Sequence, residues 1–287
     1  MRFVSYRQGG ADGVAVAEGD GPFHGVPATD PRHPGTLSSL VPQGLQAMLA
    51  AGLALLSTPE VDLDGATLLP PLPAPPKIIC IGLNYADHSA ESGFKTPDYP
   101  SVFARFASSL IGHGAPIIRP RQSEQLDFEG EFVAVIGQGG RDIPKERALE
   151  HVAAYSLFND ASIRDYQFKS PQWTMGKNFD GTGAFGPWLV TADALPPGCA
   201  GLRLQTRLNG EVVQNASTND LVFDVATLVH ELSQAFTLEA GDIIVSGTPS
   251  GVGLARKPPL WMKPGDVCEV ELEGVGVLRN PIRDQAT

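Results

Sequence analysis

The stretch Leu68–Gly82, LLPPLPAPPKIICIG, joins five prolines to a short β-branched run. Proline has no backbone N–H and fixes φ, so Leu68–Lys77 continues neither a helix nor a sheet ladder. Ile78–Gly82, directly after it, has the composition of a buried strand. The sequence therefore predicts three parts: a small N-terminal domain over 1–69, a proline-rich linker over 70–77, and a mainly β domain over 78–287.

The segment before this boundary has the pattern of a small α+β lobe. Phe3–Tyr6 and Gly13–Ala17 are short runs typical of strands, and Leu45–Leu56 is an apolar run of helical length. No group of polar residues there is suited to chemistry. We therefore expect the functional residues after the boundary.

Short β-branched and aromatic runs between turn residues follow the boundary and predict strands. They are Ile78–Gly82, Val102–Phe106, Glu131–Ile136, Tyr155–Phe158, Trp188–Val190 and Ile243–Ser246. Asn209-Gly210 separates Arg203–Leu208 from Glu211–Gln214 and predicts a hairpin, because this dipeptide suits the positive φ values of a type I′ turn.

Helical patterns are few in this part of the chain. One helix is predicted from Pro144 to about Val152, and another follows Asp220 or Asp224 as its cap and carries apolar residues at helical spacing. The predicted fold class is α+β, with a mainly β core built as a sheet roll or sandwich and a small N-terminal α+β lobe.

Composition excludes several classes of protein. Among the 287 residues, Asp and Glu number 32 against 21 Lys and Arg, which gives a formal net charge of −11. Such a surface repels nucleic acid and anionic lipid, so neither is an expected partner. With 42% hydrophobic and 18% charged residues, the chain is able to bury a sizeable core, unlike a disordered chain.

The cysteines and the N-terminus indicate the cellular compartment. Cys80, Cys199 and Cys268 are far apart and form no Cys-x-x-Cys pair, so we expect buried thiols rather than disulfides or a zinc site. The N-terminus, MRFVSYRQGG, lacks the apolar core of a signal peptide, and no apolar run approaches the ~20 residues that span a bilayer. We expect a cytoplasmic protein with no membrane partner.

Acidic residues are sparse, yet three of them fall in Asp127–Phe132, DFEGEF. If this segment enters a strand, alternation places Glu129 and Glu131 on one face and Phe132 on the other. Taken alone, a Glu-x-Glu pair is more common on a solvated strand face. A second acidic position is needed to favour a binding site.

Asp160 supplies that second position, because it ends the apolar run Tyr155–Phe158 and is followed by Ser162, Arg164 and Asp165. Three carboxylates from two strands complete one face of an oxygen-ligand site for Mg²⁺ or Mn²⁺ and leave positions for substrate.

His88 and Glu91 are three residues apart and would be neighbours on a short helix. A carboxylate beside an imidazole orients it and stabilises its charged form, as a general base requires. An ordinary surface pair is the alternative. Lys177 lies among aromatic and small residues, which suits anion stabilisation, and its alternative is a lysine that reaches to solvent.

Gly241–Gly253, GDIIVSGTPSGVG, predicts a strand that opens into a glycine-rich turn. The amides around Gly247 and the hydroxyl of Thr248 are suited to holding a substrate carboxylate. The alternative is a tight turn without a ligand. The turn lacks the lysine of a phosphate-binding loop, so a nucleotide site is not predicted.

The order of NYADHxxE, ExE, NDxSxRD, KNFD and GDIIVSGTPSGVG resembles the fumarylacetoacetate hydrolase family, acylpyruvate hydrolases included, from about Lys77 to Ile282. The resemblance implies a mixed β-roll core, commonly a homodimer, and a divalent metal held by Glu129, Glu131 and Asp160. Mg²⁺ or Mn²⁺ is implied, with Ca²⁺ possible in crystals. It also implies that the His-x-x-Glu segment belongs to a lid, and that the positions of Lys177 and Thr248 contact ligand.

The reaction expected from this resemblance is hydrolysis of a carbon–carbon bond in a 2,4-dioxo acid, an acylpyruvate, fumarylpyruvate or maleylpyruvate, to pyruvate and a carboxylic acid. His88, oriented by Glu91, would take a proton from water, and Lys177 would stabilise negative charge. The alternative is decarboxylation of a 2-oxo diacid such as oxaloacetate, or tautomerisation or isomerisation of an unsaturated 2-oxo acid. A catalytically silent metal-binding scaffold is the alternative from another class.

Arg105 is a departure from the family, many of whose members have lysine at this position. A planar guanidinium grips a carboxylate with two hydrogen bonds, so Arg105 is a candidate substrate-binding residue. Its alternative is a pair with an internal carboxylate that holds the strand.

Overall fold

The computed structural model describes residues 1–87 and 97–286. Its strands, numbered in chain order, are β1 Arg2–Gln8, β2 Ala11–Ala17, β3 His24–Pro27, β4 Thr67–Leu68, β5 Ile78–Gly82, β6 Ser101–Arg105, β7 Leu110–Ile111, β8 Ile117–Arg119, β9 Leu126–Asp127, β10 Gly130–Ile136, β11 Val152–Asp160, β12 Ser162–Ile163, β13 Gly183–Thr191, β14 Arg203–Leu208, β15 Glu211–Ser217, β16 Ile243–Val245, β17 Val267–Leu272 and β18 Gly276–Asp284.

Helices are short and few by comparison with the strands. The α-helices whose full extent falls within the described residues are α1 Leu37–Leu40, α2 Leu45–Leu56, α3 Arg164–Gln167, α4 Thr174–Lys177 and α5 Val225–Ala235. The 3₁₀ segments include Lys145–His151 and Gly253–Ala255. No helix in the described ranges is both long enough and apolar enough to cross a membrane.

The core lies between two sheets. The larger has the order β3-β2-β1-β13-β11-β10-β16-β5-β6, with β4 on β1 and β7 on β13, and the smaller has the order β15-β14-β17-β18-β8. Most neighbours are antiparallel, but β5 pairs with β16 in parallel, so the larger sheet is mixed. The smaller sheet packs on β10 and β11. The predicted α+β, mainly β architecture is confirmed.

Strand β10 is buried on both faces, because side chains from its two faces enter different cores. Phe132 packs into the core that the smaller sheet covers. Val133 and Val135 point the other way, into a core that includes Phe3 and Met48 from the N-terminal segment. This alternation sets the face on which Glu131 lies, opposite to Phe132 as predicted.

The N-terminal segment joins the larger sheet. β1 pairs antiparallel with β13 through Arg2↔Val190 and Phe3↔Leu189. Helix α2, which spans the predicted Leu45–Leu56, packs against β11 and β13. The division at 69/70 into two domains stays a prediction, and strand pairing crosses it.

Local predictions after the boundary hold with one correction. The Asn209-Gly210 turn has φ values of 55° and 84°, as the predicted hairpin requires. Asp224 caps α5 by accepting a hydrogen bond from the Thr227 amide at 2.7 Å. The helix predicted from Pro144 is wrong in type, because Lys145–His151 forms 3₁₀ turns before entering β11. The three cysteines are free and buried, as predicted.

Candidate metal centre

Three carboxylates meet where β10 and β11 lie side by side. Glu129 precedes β10, Glu131 lies on it, and Asp160 ends β11; ligand oxygens of all three lie within 4.8 Å of one another. The backbone explains this convergence, because the Asp160 amide donates to the Glu129 carbonyl at 2.9 Å. All three side chains are buried, with 5%, 2% and 0% exposure. This set of hard oxygen donors fits a divalent cation such as Mg²⁺ or Mn²⁺.

Lys177 lies at the end of α4, and its Nζ is 2.6 Å from both Glu129 Oε2 and Asp160 Oδ2. The same nitrogen lies 4.9 Å from the centre of the Phe103 ring. Burial would lower the pKa of Lys177, but the carboxylates of Asp160 and Glu129 outweigh it and the pKa is raised. The sequence predicted that Lys177 belongs to the site. In the structure its ammonium group forms ion pairs with Glu129 and Asp160.

Glu131 is held by the glycine-rich turn. The Gly247 amide donates to Glu131 Oε2 at 2.5 Å, in a conformation with φ of 98° that favours glycine. Burial raises the pKa of Glu131 well above its ordinary value, and the charges of Asp160 and Glu129 raise it further. The Gly247 amide thus binds a carboxylate of the protein. Contact between this turn and a substrate carboxylate stays a prediction.

Thr248 lines the cavity at the triad, as expected for a ligand contact. Its hydroxyl donates to the Gly130 carbonyl at 3.0 Å and accepts from Gln214 Nε2 at 2.8 Å. Thr248 therefore joins the turn to the start of β10. Contact between Thr248 and a substrate stays a prediction.

Arg105 lies behind the triad rather than on the cavity lining. Its side chain is fully buried, Nη1 pairs with Asp160, Nη2 donates to Thr182 Oγ1 at 2.6 Å, and Nε donates to Ser109 Oγ at 3.3 Å. This geometry matches the alternative interpretation of Arg105, a pair with an internal carboxylate that holds the strand. Because that carboxylate is Asp160, the pair also orients a member of the triad.

Arg164 is a site residue to which sequence reasoning gave no role. Its Nη1 lies 2.6 Å from Glu129 Oε1, and its Nε donates to Asp127 Oδ2 at 2.8 Å. Arg164 lines the cavity, and its buried Nη2 has no hydrogen-bond partner among the described residues. Its place in the motif NDxSxRD, four residues after Asp160, was the available signal.

Asp127 is the second missed residue, and it ties Arg164 to the glycine-rich turn. Oδ1 accepts from the Gly253 amide at 2.7 Å, and Oδ2 accepts from the Leu254 amide at 2.9 Å. A buried carboxylate with these donors and a guanidinium is well compensated. Asp127 therefore fixes the arginine relative to the turn that lines the cavity.

A cavity of about 320 Å³ opens at the triad. Its charged lining residues are Glu129, Glu131, Arg164 and Lys177, and the rest of the lining is largely apolar. His88, predicted as the general base, and Glu91, predicted to orient it, lie outside the described residues. Their roles as base and orienting carboxylate stay predictions.

Comparison with known proteins identifies relatives over nearly the whole chain. The model of the fumarylacetoacetate (FAA) hydrolase C-terminal family matches residues 77–283. Oxaloacetate tautomerase fahd2, mitochondrial, of Xenopus laevis is 38% identical over 290 residues, which cover 98% of this chain and 90% of that protein.

Solved structures give the same result for the fold. Fumarylacetoacetate hydrolase from psychrophilic Exiguobacterium antarcticum matches with a TM-score of 0.83 and 37% identity, over 99% of this chain and 100% of that chain. A 5-carboxymethyl-2-hydroxymuconate delta-isomerase from Mycobacterium smegmatis matches with a TM-score of 0.78 and 32% identity over the full length of both chains. These relatives are enzymes. This chain belongs to the fumarylacetoacetate hydrolase family.

Proposed function

We propose that this protein is a metal-dependent tautomerase or isomerase of 2-oxo acids, and that keto–enol interconversion of oxaloacetate is the reaction to test first. The observation that carries the proposal is the buried triad of Glu129, Glu131 and Asp160 at the base of a cavity with two cations on its lining. The names of relatives support it, since an oxaloacetate tautomerase and an isomerase both match over most of the chain.

In this proposal Glu129, Glu131 and Asp160 hold Mg²⁺ or Mn²⁺. A bound cation of this kind polarises a 2-oxo group and makes the neighbouring C3–H more acidic. Lys177, held charged by Glu129 and Asp160, stabilises the negative charge that develops when the C3 proton leaves.

Arg164 binds the carboxylate of the substrate. Arg164 is on the cavity lining, and its buried Nη2 has no hydrogen-bond partner among the described residues. A buried donor is costly to leave unpaired. A substrate carboxylate satisfies this donor with a charge-assisted hydrogen bond. Asp127 keeps the guanidinium oriented while the substrate binds.

Tautomerisation suits this site because it moves one proton from C3 to the 2-oxo oxygen and consumes no water. Hydrolysis of a 2,4-dioxo acid additionally consumes a water molecule that a base must activate, the role predicted for His88 with Glu91. Hydrolysis is the second candidate because a fumarylacetoacetate hydrolase matches with a TM-score of 0.83.

The test follows enol oxaloacetate by its absorbance, with Mn²⁺ and with a chelator, while pyruvate release is measured in parallel from oxaloacetate and from an acylpyruvate. We expect Mn²⁺-dependent loss of the enol without pyruvate. Pyruvate from the acylpyruvate would assign hydrolysis, and pyruvate from oxaloacetate would assign decarboxylation. Enol loss equal to the uncatalysed rate would contradict the tautomerase proposal.

Three further properties remain predictions: the identity of the metal, the homodimer and the cytoplasmic location. The Xenopus laevis relative is named as mitochondrial, so its compartment differs from the one predicted here.

A further inference from the structure

The cavity at the triad has an aromatic wall. Phe103 and Trp173 form an edge-to-face pair with ring centroids 5.5 Å apart, and both line the cavity together with Phe168. Gly82 leaves room for this wall, because a Cβ at that position would lie 2.3 Å from the Trp173 ring. Phe168 is 53% exposed, so the wall reaches solvent.

Polar side chains on the lining have partners within the protein. Arg164 and Lys177 both pair with Glu129, the Gln167 side chain accepts from Arg164 Nη1 at 2.8 Å, and Thr248 is bonded to Gly130. Within residues 1–87 and 97–286, Arg164 and Lys177 are the cations on this lining. The aromatic wall therefore has no described cation that would balance a second carboxylate far from the 2-oxo acid.

A small diacid leaves this wall without an apolar partner. Oxaloacetate carries carboxylates at both ends, so its groups are satisfied at the charged part of the cavity and gain nothing from the rings. An aromatic substituent buries apolar area against the wall, and ring pairs in edge-to-face geometry gain further.

We propose that the site takes 2-oxo acids that carry an aromatic ring or a comparable apolar group on C3, with phenylpyruvate as the simplest probe. The inference rests on the proposed function, because it places the 2-oxo acid end at the triad. In the keto-to-enol direction the benzylic C3–H bond breaks, a C2=C3 double bond replaces the C2=O double bond, and the proton ends on the C2 oxygen. No atom or electron is gained or lost.

Binding of phenylpyruvate and pyruvate to the Mg²⁺-loaded protein, measured by calorimetry, tests this inference without relying on turnover. The two acids share the 2-oxo acid end and differ by the ring. We expect phenylpyruvate to bind about tenfold more tightly or better. Trp173→Ala should bring the ratio of the phenylpyruvate affinity to the pyruvate affinity close to one, while pyruvate binding stays unchanged.

Two further variants make the test robust. Phe168→Ala truncates a half-exposed ring, should fold normally, and should also reduce the ratio. Met175→Ala is the matched control, because Met175 lies on α4 near Trp173, is 65% exposed and is not on the cavity lining. It should keep the wild-type ratio.

Equal affinity for the two acids in the wild type, or equal weakening of both by Trp173→Ala and by Phe168→Ala, would overturn the inference. The oxaloacetate enol assay separates this from failure of the proposed function. Selective phenylpyruvate binding without any tautomerisation would support the binding inference and contradict the tautomerase. Tautomerisation of oxaloacetate together with equal affinities for phenylpyruvate and pyruvate would support the tautomerase and overturn the binding inference.

Discussion

Buried charge at the triad is nearly but not fully balanced by the protein's own cations. The carboxylates outnumber the cations by one among the described residues of this cluster, which are Asp127, Glu129, Glu131, Asp160, Arg105, Arg164 and Lys177. Burial raises the pKa of Glu131, and the charges of Asp160 and Glu129 raise it further, because an uncompensated buried charge is expensive. A bound divalent cation would compensate this excess negative charge.

Glu131→Gln tests this balance through stability. A carboxyl whose pKa is raised by folding contributes stability below its unfolded pKa, and that stability is lost as pH rises through the folded pKa. Glutamine imitates the protonated form, so the chelator-treated variant should melt higher at neutral pH, by about 2–4 °C for each kcal/mol regained. Added Mn²⁺ should stabilise the wild type and leave the variant unchanged. A lower melting temperature of the metal-free variant would contradict the charge argument.

Arg105→Lys separates the two roles considered for this residue. Lysine cannot reproduce the contacts of the guanidinium with Asp160, Thr182 and Ser109, so the free energy of unfolding should fall by about 1–3 kcal/mol. KM for the tautomerisation of a diacid and KM for the tautomerisation of a neutral acylpyruvate should change alike. A KM increase confined to the diacid, with an unchanged melting curve, would instead support direct substrate binding.

At the scale of elements, the site depends on how the glycine-rich turn is anchored. The Gly253 amide binds Asp127, and a Cβ at Gly253 would lie 1.8 Å from the Leu260 carbonyl and 2.6 Å from Asp127 Oδ1. The turn therefore approaches Asp127 more closely than any side chain at this position permits.

Gly253→Ala should displace the Gly253 amide from Asp127, which binds Arg164. Arg164 should then be held less firmly, and KM for oxaloacetate should rise. Asp224→Ala is the stability control: it removes the cap of α5 at a cost of about 1 kcal/mol, at a residue that is not on the cavity lining, and should leave the rates unchanged. Thermal melting and steady-state kinetics of both variants check the prediction. Equal kinetic effects in the two would show that Gly253 acts only through stability.

Local signals predicted the elements well, because strands and helices follow patterns of neighbouring residues. Helix α2 has the predicted bounds, whereas β11 begins at Val152 rather than Tyr155, since Ala153 and Ala154 give a weak strand signal and are fixed by packing. The 3₁₀ turns before β11 likewise depend on tertiary context.

The triad was predictable for the same reason: Glu129 and Glu131 are neighbours in sequence, and Asp160 ends a strand. Its partners were not predictable in the same way. The Gly247 amide binds Glu131 across 116 residues, and Arg164 binds Asp127 across 37, so both contacts depend on sheet register rather than on local pattern.

At the scale of the whole molecule, the N-terminal segment completes the larger sheet and one of its cores. Phe3, Met48 and Leu55 are fully buried with Val133 and Phe158 of the central strands. The proline-rich segment predicted as a linker thus joins two parts that share a sheet.

A fragment of residues 70–287 should therefore lose cooperative unfolding, because it exposes the edge of β13 and the apolar face that α2 covers. Circular dichroism melting and size-exclusion chromatography check this, with the full chain as control. A monomeric fragment with a sharp transition would instead establish residues 70–287 as an independent domain.

Glu129, Glu131 and Asp160 should form the metal site on which activity depends. Calorimetric titration with Mn²⁺ of the wild type and of Glu131→Gln, after removal of metal by chelation, measures metal binding at this site. We predict one Mn²⁺ bound per wild-type chain and binding weakened about 100-fold or more in the variant, because a carboxylate ligand has become a neutral amide. Asp224→Ala should titrate like the wild type. Unchanged Mn²⁺ binding in Glu131→Gln would place the metal elsewhere and contradict the account.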